Sequence, residues 1–207
     1  MKLITFEGIE KVGKTTNIKS IAKYLLDRGT NIILTREPGG TLFGEKIREI
    51  LLDKNIGYIS PLSELFLILS ARYDHVEKVI VPALMKGKVV LCDRFIDSTY
   101  AYQSGGRLIN INKVKILEKL FFNNISPDFT FLLNYPIRKS LLRIKSNVNL
   151  DRIEKEKISF FIRIKKIYIK RAILKKNKYF IINCDSNLYS IQNTIRKILK
   201  NIKVIGK

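Results

Sequence analysis

Apolar and polar positions alternate along this chain between two rhythms. Residues 3–6, 31–35 (N-I-I-L-T), 88–92 (K-V-V-L-C), 128–133 (D-F-T-F-L-L) and 179–184 are short, β-rich apolar runs, the pattern of strands buried on both faces. Between them apolar residues recur at helical spacing. Ile18, Ile21, Ala22, Leu25 and Leu26 share one face, and Thr41 is placed to cap a short helix carrying Ile47, Ile50 and Leu51. Ser60 and Pro61 open a helix expected to run to about Met85, with Glu64 at capping distance. Residues 95–103 read as helix, closed by Ser104-Gly105-Gly106, and residues 112–122 as another. A basic helix with a loop (136–149), a long amphipathic helix after Glu154 and a closing helix (188–202) complete the series. Strands alternating with helices imply right-handed crossovers and a parallel sheet covered on both sides.

One stretch changes this from a fold class into a chemistry. The first strand runs into Gly8-Ile9-Glu10-Lys11-Val12-Gly13-Lys14-Thr15-Thr16, which fits G-x-x-x-x-G-K-[ST] directly ahead of a helix. Glycines let the backbone curl so that its N–H groups point at a triphosphate, and the helix opening at Gly13 adds its positive dipole end. Lys14 is placed to reach the β- and γ-phosphates of ATP, and the Thr15 hydroxyl to ligate Mg²⁺. The expected fold is therefore α/β: a three-layer P-loop NTPase fold, with a five-stranded parallel sheet, helices on both faces and a short lid.

Composition bounds the rest. At 207 residues the chain reads as one domain spanning 1–207. It has no apolar run of membrane-spanning length and no signal-peptide pattern, so a cytoplasmic location without membrane association is expected. Cys92 and Cys184 sit in strand-like runs and read as core thiols. His75 is the only histidine and reads as a helix-surface or interface residue without the partners of a metal site or relay. The net charge of +21 is spread through Ile/Lys/Asn-rich segments, without a compact basic tract interleaved with aromatics. Low-GC coding bias explains such a spread, so no specific nucleic-acid binding is expected.

Further features narrow the enzyme class. Arg48, Arg72 and Arg94 fall at strand ends and helix faces that should converge on one crevice, where guanidinium groups clamp a second phosphate. Asp93 and Arg94 leave the third strand at its carboxyl end, where open α/β sheets bind ligands. The basic stretch 138–152 is placed to fold over the γ-phosphate. Together these suggest a kinase acting on a small phosphorylated acceptor.

At this level of detail the chain closely resembles the thymidylate kinase family. The resemblance is carried by F-E-G-I-E-K-V-G-K-T-T (6–16), T-R-E-P-G-G-T (35–41), G-E-K-I-R (44–48), S-A-R (70–72), D-R-F-I-D-S-T-Y-A-Y-Q (93–103) and L-D-R-I-E (150–154). A trailing F-F-x-R-x-x-x-x-Y (160–168) is similar to the bacterial branch. The resemblance implies transfer of the ATP γ-phosphoryl group to dTMP, giving dTDP and ADP for dTTP synthesis. It implies that Glu10 accepts the deoxyribose 3′-hydroxyl, that Arg48 and Arg94 hold the acceptor phosphate, and that Asp93 acts through Mg²⁺ or its water. Arg72 would hydrogen-bond thymine, Thr99 and Gln103 would line that pocket, and Tyr102 would stack on the sugar. Arg143, Lys145 and Arg152 would belong to a lid near 138–154, and a homodimer built on the helices of 65–84 and 158–173 is implied.

The chain departs from the family pattern in three respects. Lys11 stands where eukaryotic-type members carry arginine, while Lys145 and Asn147 stand where lid arginines are common in the bacterial branch. Part of the γ-phosphate neutralisation is therefore expected to move to Lys11. Ile68 replaces a phenylalanine that stacks on thymine, and Asn134 replaces a frequent strand-end aspartate to which no role is assigned. Two alternatives stay open at this point: a kinase for another monophosphate (dUMP, AMP or CMP), and a nucleic-acid-binding protein that uses ATP as a switch.

Overall fold

The computed structural model describes residues 2–122, 125–146 and 148–204, so Asn147 lies outside the described residues. Strands β1 (Lys2–Glu7), β2 (Ile32–Arg36), β3 (Val89–Asp93), β4 (Phe129–Asn134) and β5 (Tyr179–Asn183) form one sheet. Its order is β2-β3-β1-β4-β5, with every pairing parallel. Each strand lies within one residue of its expected ends.

The central strands β1, β3 and β4 are buried because helices cover both faces, whereas the edge strands β2 and β5, expected to be buried as well, are only partly covered, with Leu34 and Ile181 exposed. On one side Ile4, Phe6, Leu91 and Phe131 pack against α1 (Lys14–Leu26), α8 (Ile158–Leu174) and α9 (Leu188–Asn201). On the other, Leu3, Val90 and Cys92 meet α3 (Pro61–His75), α4 (Val81–Met85) and α6 (Ile111–Phe122). Thr5 points into the interior and is satisfied by Thr130, hydroxyl to hydroxyl at 2.9 Å. Both cysteines are buried and unpaired, as core thiols should be.

Neighbours β1 and β3 send the chain to opposite sides. The connection through α1 leads from β1 to β2, whereas β3 is followed across β1 by β4. At their carboxyl ends the ladder continues into the loops: Arg94 N–H donates to Phe6 O and Glu37 N–H to Asp93 O, each at 2.9 Å. The loops after β1, β2 and β3 are thus fixed side by side, where ligands sit in open α/β sheets.

The helices form where the caps predict. Thr41 Oγ1 accepts from Gly44 N–H to open α2 (Leu42–Leu52), and Ser60 Oγ accepts from Ser63 N–H to open α3. Glu64, however, caps nothing: it lies one residue past the capping-box position and is turned inward, 1% exposed.

Two helices depart from expectation. The helix expected through Met85 is interrupted over Val76–Ile80 by a π-helical segment before α4. Pro82 has no N–H for Lys78 O, and Val81 N–H reaches back to Val76 O instead. After the short α5 (Ile96–Thr99), a second π-helical segment spans Tyr100–Gly106, so Ser104-Gly105-Gly106 do not close a helix. The glycines serve packing: a Cβ on Gly106 would come within 2.4 Å of the Phe160 ring, and one on Gly105 within 2.7 Å of Ile167. Arg163 Nε and Nη2 then donate to the Gly105 and Gly106 carbonyls at 3.0 and 2.8 Å.

Candidate active site

A cavity of about 720 Å³ opens at the carboxyl ends of β1, β2 and β3. Its lining includes Glu10, Lys11, Lys14 and Thr15 from the loop after β1, and Arg48 from α2. Ile68 and Arg72 come from α3; Asp93, Arg94, Thr99, Tyr102 and Gln103 follow β3; Arg152 comes from the segment before α8. All the motifs named from the sequence except the trailing 160–168 stretch therefore meet in one space. Gly8, Ile9, Val12, Gly13 and Thr16 shape the loop backbone behind that surface.

The loop takes backbone angles that its glycines permit: φ is 142° at Gly8 and 91° at Gly13. A Cβ on Gly8 would come within 2.7 Å of Leu133 O, so the loop also needs glycine there for space. Lys14 Nζ donates to Gly8 O at 3.0 Å and Ile9 O at 2.7 Å. Burial, reinforced by the Arg94 charge, lowers its pKa to about 8.

Arg94 is held beneath this loop at φ 70°, in the left-handed region. Its Nη1 donates to Gly8 O at 3.0 Å and Tyr168 Oη at 3.2 Å, and its Nη2 to Glu10 Oε1 at 3.0 Å. Tyr102 Oη donates to the same Glu10 oxygen at 2.5 Å. The other Glu10 oxygen, Oε2, is buried with no partner among the described residues. Such an atom invites a donor from a ligand.

Thr15 Oγ1 donates to Asp93 Oδ2 at 3.1 Å, and Asp93 Oδ1 is a second buried oxygen without a partner. A hydroxyl beside a carboxylate with a free lone pair fits Mg²⁺, which binds a few hard oxygens and keeps several waters. Arg48 donates to Pro38 O at 3.1 Å. Burial lowers its pKa, and the Arg36 and Arg94 charges lower it further, marking a local positive excess suited to an anion.

Arg72 is 2% exposed and held at three corners: Nε to Glu37 Oε2 at 2.5 Å, Nη1 to Thr99 Oγ1 at 2.7 Å, and Nη2 to Phe95 O at 3.1 Å. The expectation for His75 is corrected here: it is fully buried, not a surface or interface residue. Its Nδ1 lies 3.0 Å from Glu37 Oε1 and its Nε2 2.6 Å from Thr35 Oγ1, because the Arg72–Glu37 pair supplies a polar niche beneath the loop after β2. Glu37, His75 and Cys92 lie within 4.8 Å of one another, but the imidazole nitrogens and Glu37 oxygens already have protein partners.

The lid candidates divide. Arg152 lines the cavity, its Nε donating to Leu51 O at 2.9 Å and its Nη2 to Glu64. Lys11 faces Glu154 at 3.3 Å. Arg143, near the end of α7 (Ile137–Lys145), does not line the cavity; it donates to Lys11 O at 3.2 Å and lies over the Tyr135 ring. Lys145 is exposed and does not line the cavity either.

Sequence reasoning missed Glu7, Glu37, Glu64 and Arg107. Glu7 is fully buried, accepting from Phe95 N–H, Ser98 Oγ and Tyr168 Oη, and burial together with the Asp97 charge raises its carboxyl to about 7. A signal for Glu64 existed. Residues 64, 68, 72 and 75 recur at helical spacing, so polar groups at 64, 72 and 75 share one face of α3 with Ile68.

A family model described as thymidylate kinase matches residues 6–195. The chain belongs to the thymidylate kinase family. It is similar to the thymidylate kinase of Vesicomyosocius okutanii subsp. Calyptogena okutanii (strain HA), 43% identical over 199 residues that cover 96% of this chain and 97% of that one. It is likewise similar to the thymidylate kinase of Ectopseudomonas mendocina (strain ymp), 40% identical over 199 residues covering 96% and 95%. Among solved structures, thymidylate kinase from Ehrlichia chaffeensis superposes with a TM-score of 0.78 at 34% identity, covering 96% of this chain and 98% of that one. The five-stranded parallel sheet is thus the P-loop fold of this family.

Proposed function

We propose that the cavity binds ATP and dTMP end to end and performs in-line transfer of the γ-phosphoryl group, giving ADP and dTDP. Membership of the family makes the chain a nucleotide-using transferase that phosphorylates dTMP on the way to dTTP. What carries the residue roles is the pairing of a phosphate-binding loop with a buried, half-satisfied carboxylate inside it, Glu10. A carboxylate there repels a triphosphate, whereas its free oxygen suits the 3′-hydroxyl of a deoxyribose.

On this reading the loop 8–16 wraps the triphosphate, and Lys14 leaves its carbonyl partners for the β- and γ-phosphates. Thr15 and Asp93 hold Mg²⁺, which when bound neutralises the phosphate oxygens. Arg48 and Arg94 grip the acceptor phosphate, and Tyr102 flanks the sugar. Arg72, Thr99, Gln103 and Ile68 frame the base. Lys11, Arg143, Lys145 and Arg152 serve the γ-phosphate as residues 138–154 close, excluding water. No group needs to form a covalent intermediate; positioning and charge do the catalysis.

The chain then works as one domain, 1–207, in the cytoplasm where its nucleotides are. No described helix is long and apolar enough to cross a membrane. Exposed Phe66 and Tyr73 on α3, with Ile162 and Ile173 on α8, support a homodimer built on the helices of 65–84 and 158–173. No specific nucleic-acid binding is proposed, because no compact basic tract interleaved with aromatics is present in the sequence.

The test is Mg²⁺- and ATP-dependent ADP release with dTMP, dUMP, AMP, CMP and GMP offered separately. Strong preference for dTMP is expected. ATP binding with no acceptor-dependent turnover would overturn the reading.

A further inference from the structure

Glu64 on α3 is a carboxylate in an otherwise apolar stretch, 1% exposed, and it lines the same cavity as Arg72 and Gln103. Three side chains donate to it. Gln103 Nε2 reaches Oε1 at 2.9 Å, Arg107 Nε lies 3.0 Å from Oε1 and 3.2 Å from Oε2, and Arg152 Nη2 reaches Oε2. Burial alone would raise the Glu64 carboxyl, but the hydrogen bonds and charge of Arg107, with the bonds from Arg152 and Gln103, outweigh it and hold it below its ordinary range. Glu64 is therefore ionised and accepts only.

An acceptor-only group decides which end of an amide faces it. Only the NH₂ end of Gln103 can approach Glu64, so its carbonyl end is left for the cavity. No described residue donates to Gln103 Oε1. Gln103 is 2% exposed, so the amide cannot turn freely to water.

We propose that Glu64 is a specificity-determining positioning residue: by fixing the Gln103 amide it presents a hydrogen-bond acceptor, which selects pyrimidines carrying N3–H over those with an unprotonated N3. This rests on the reading of the cavity as a pyrimidine monophosphate site. Thymine and uracil offer a donor at N3 and an acceptor at position 4, matching the Gln103 oxygen and the Arg72 guanidinium. Cytosine inverts both. A buried site built to hydrogen-bond a substrate N–H rejects an analogue lacking it by factors of roughly 10⁴.

The probe is 5-methyl-dCMP, which keeps the methyl group, sugar and phosphate of dTMP and inverts only the hydrogen bonding at N3 and position 4. The readout is the ratio of kcat/KM for dTMP to that for 5-methyl-dCMP, with ATP and Mg²⁺ saturating. In Glu64→Gln the amide at 103 is free to turn, and the ratio should fall by about tenfold or more. The KM for ATP should hold within about threefold. Gln103→Leu leaves Glu64 paired with both arginines and should lower the ratio too. The double variant Glu64→Gln/Gln103→Glu places the donor on 64 and an acceptor-only group at 103, and should restore it. A ratio unchanged in Glu64→Gln and Gln103→Leu would overturn the proposal, as would a double variant that stays at the single-variant level. A general loss of activity at constant ratio would mark Glu64 as structural and also overturn it. Wild-type protein that does not favour dTMP would instead overturn the reading of the cavity itself.

Discussion

The two sides of the cavity are built in opposite ways. On the phosphate side, the groups that shape the loop lie within nine consecutive residues, 8–16, and they act largely through backbone geometry. On the base side, side chains far apart in sequence form buried polar networks: Arg72 with Glu37, His75 and Thr99, and Glu64 with Gln103, Arg107 and Arg152. The first is a local device that binds triphosphates generally. The second is assembled by the fold, and on the proposed reading it is where a particular acceptor is chosen.

Removing the central charge on each side separates these two designs most sharply. Lys14→Met should lower kcat by roughly 10²–10³-fold with little loss of stability, because a preorganised charge is lost from the reacting phosphates. The pH dependence of the wild-type protein sharpens the point. Burial, with the Arg94 charge, lowers the Lys14 pKa to about 8, so nucleotide affinity should fall as pH rises through 8. Stability should move the other way. Between pH 8 and about 10.5 the unfolded chain binds the Lys14 proton more tightly than the folded one, so this group adds stability as pH rises. Loss of both trends in Lys14→Met, by calorimetry and thermal melts, is the expected result.

Arg72→Met should instead show first in stability. Breaking a buried pair and leaving the Glu37 carboxylate short of its guanidinium costs about 3–5 kcal/mol, readable by urea denaturation. A stable Arg72→Met protein with defective dTMP binding alone would blur the comparison, because the base-side network would then be a binding device with no structural load.

A smaller effect is expected at Lys11. Lys11 pairs with Glu154 at 3.3 Å, and on the proposed reading it serves the γ-phosphate of ATP. Lys11→Gly should therefore lower kcat more than Lys145→Ala does, since Lys145 is exposed outside the cavity lining. If Lys11→Gly leaves kcat unchanged while Lys145→Ala and Arg143→Ala abolish it, neutralisation belongs to the lid alone.

The smallest effect lies at the base. Ile68 gives the pocket an apolar wall without aromatic stacking, a difference of about 0.5–1.5 kcal/mol. Ile68→Phe should lower the KM for dTMP by roughly two- to tenfold and leave that for ATP unaltered. No change would mean that Ile68 does not face the base.

These differences also explain what was legible in the sequence. The strands and caps depend on neighbouring residues, so Thr41 and Ser60 could be read as caps and the sheet as parallel. The π-helical segments depend on what packs nearby: Gly105 and Gly106 look like a helix stop in sequence, but they admit Phe160 and Ile167 of α8. Among site residues, a glycine loop announces itself. Glu64 resembles a capping residue because its partners lie 39, 43 and 88 positions away. His75 resembles a surface residue for the same reason, with Thr35 and Glu37 lying 40 and 38 positions from it.

On the proposed reading, the Glu10 carboxylate inside the phosphate-binding loop serves the acceptor and not ATP. Calorimetric titration of Glu10→Gln with dTMP, and separately with ATP and Mg²⁺, tests it most directly. Loss of a charged hydrogen-bond partner should raise the Kd for dTMP by roughly 10- to 100-fold while the Kd for ATP changes by less than about threefold. Unchanged dTMP affinity with markedly tighter ATP binding would mean that Glu10 faces the triphosphate, and would contradict the account.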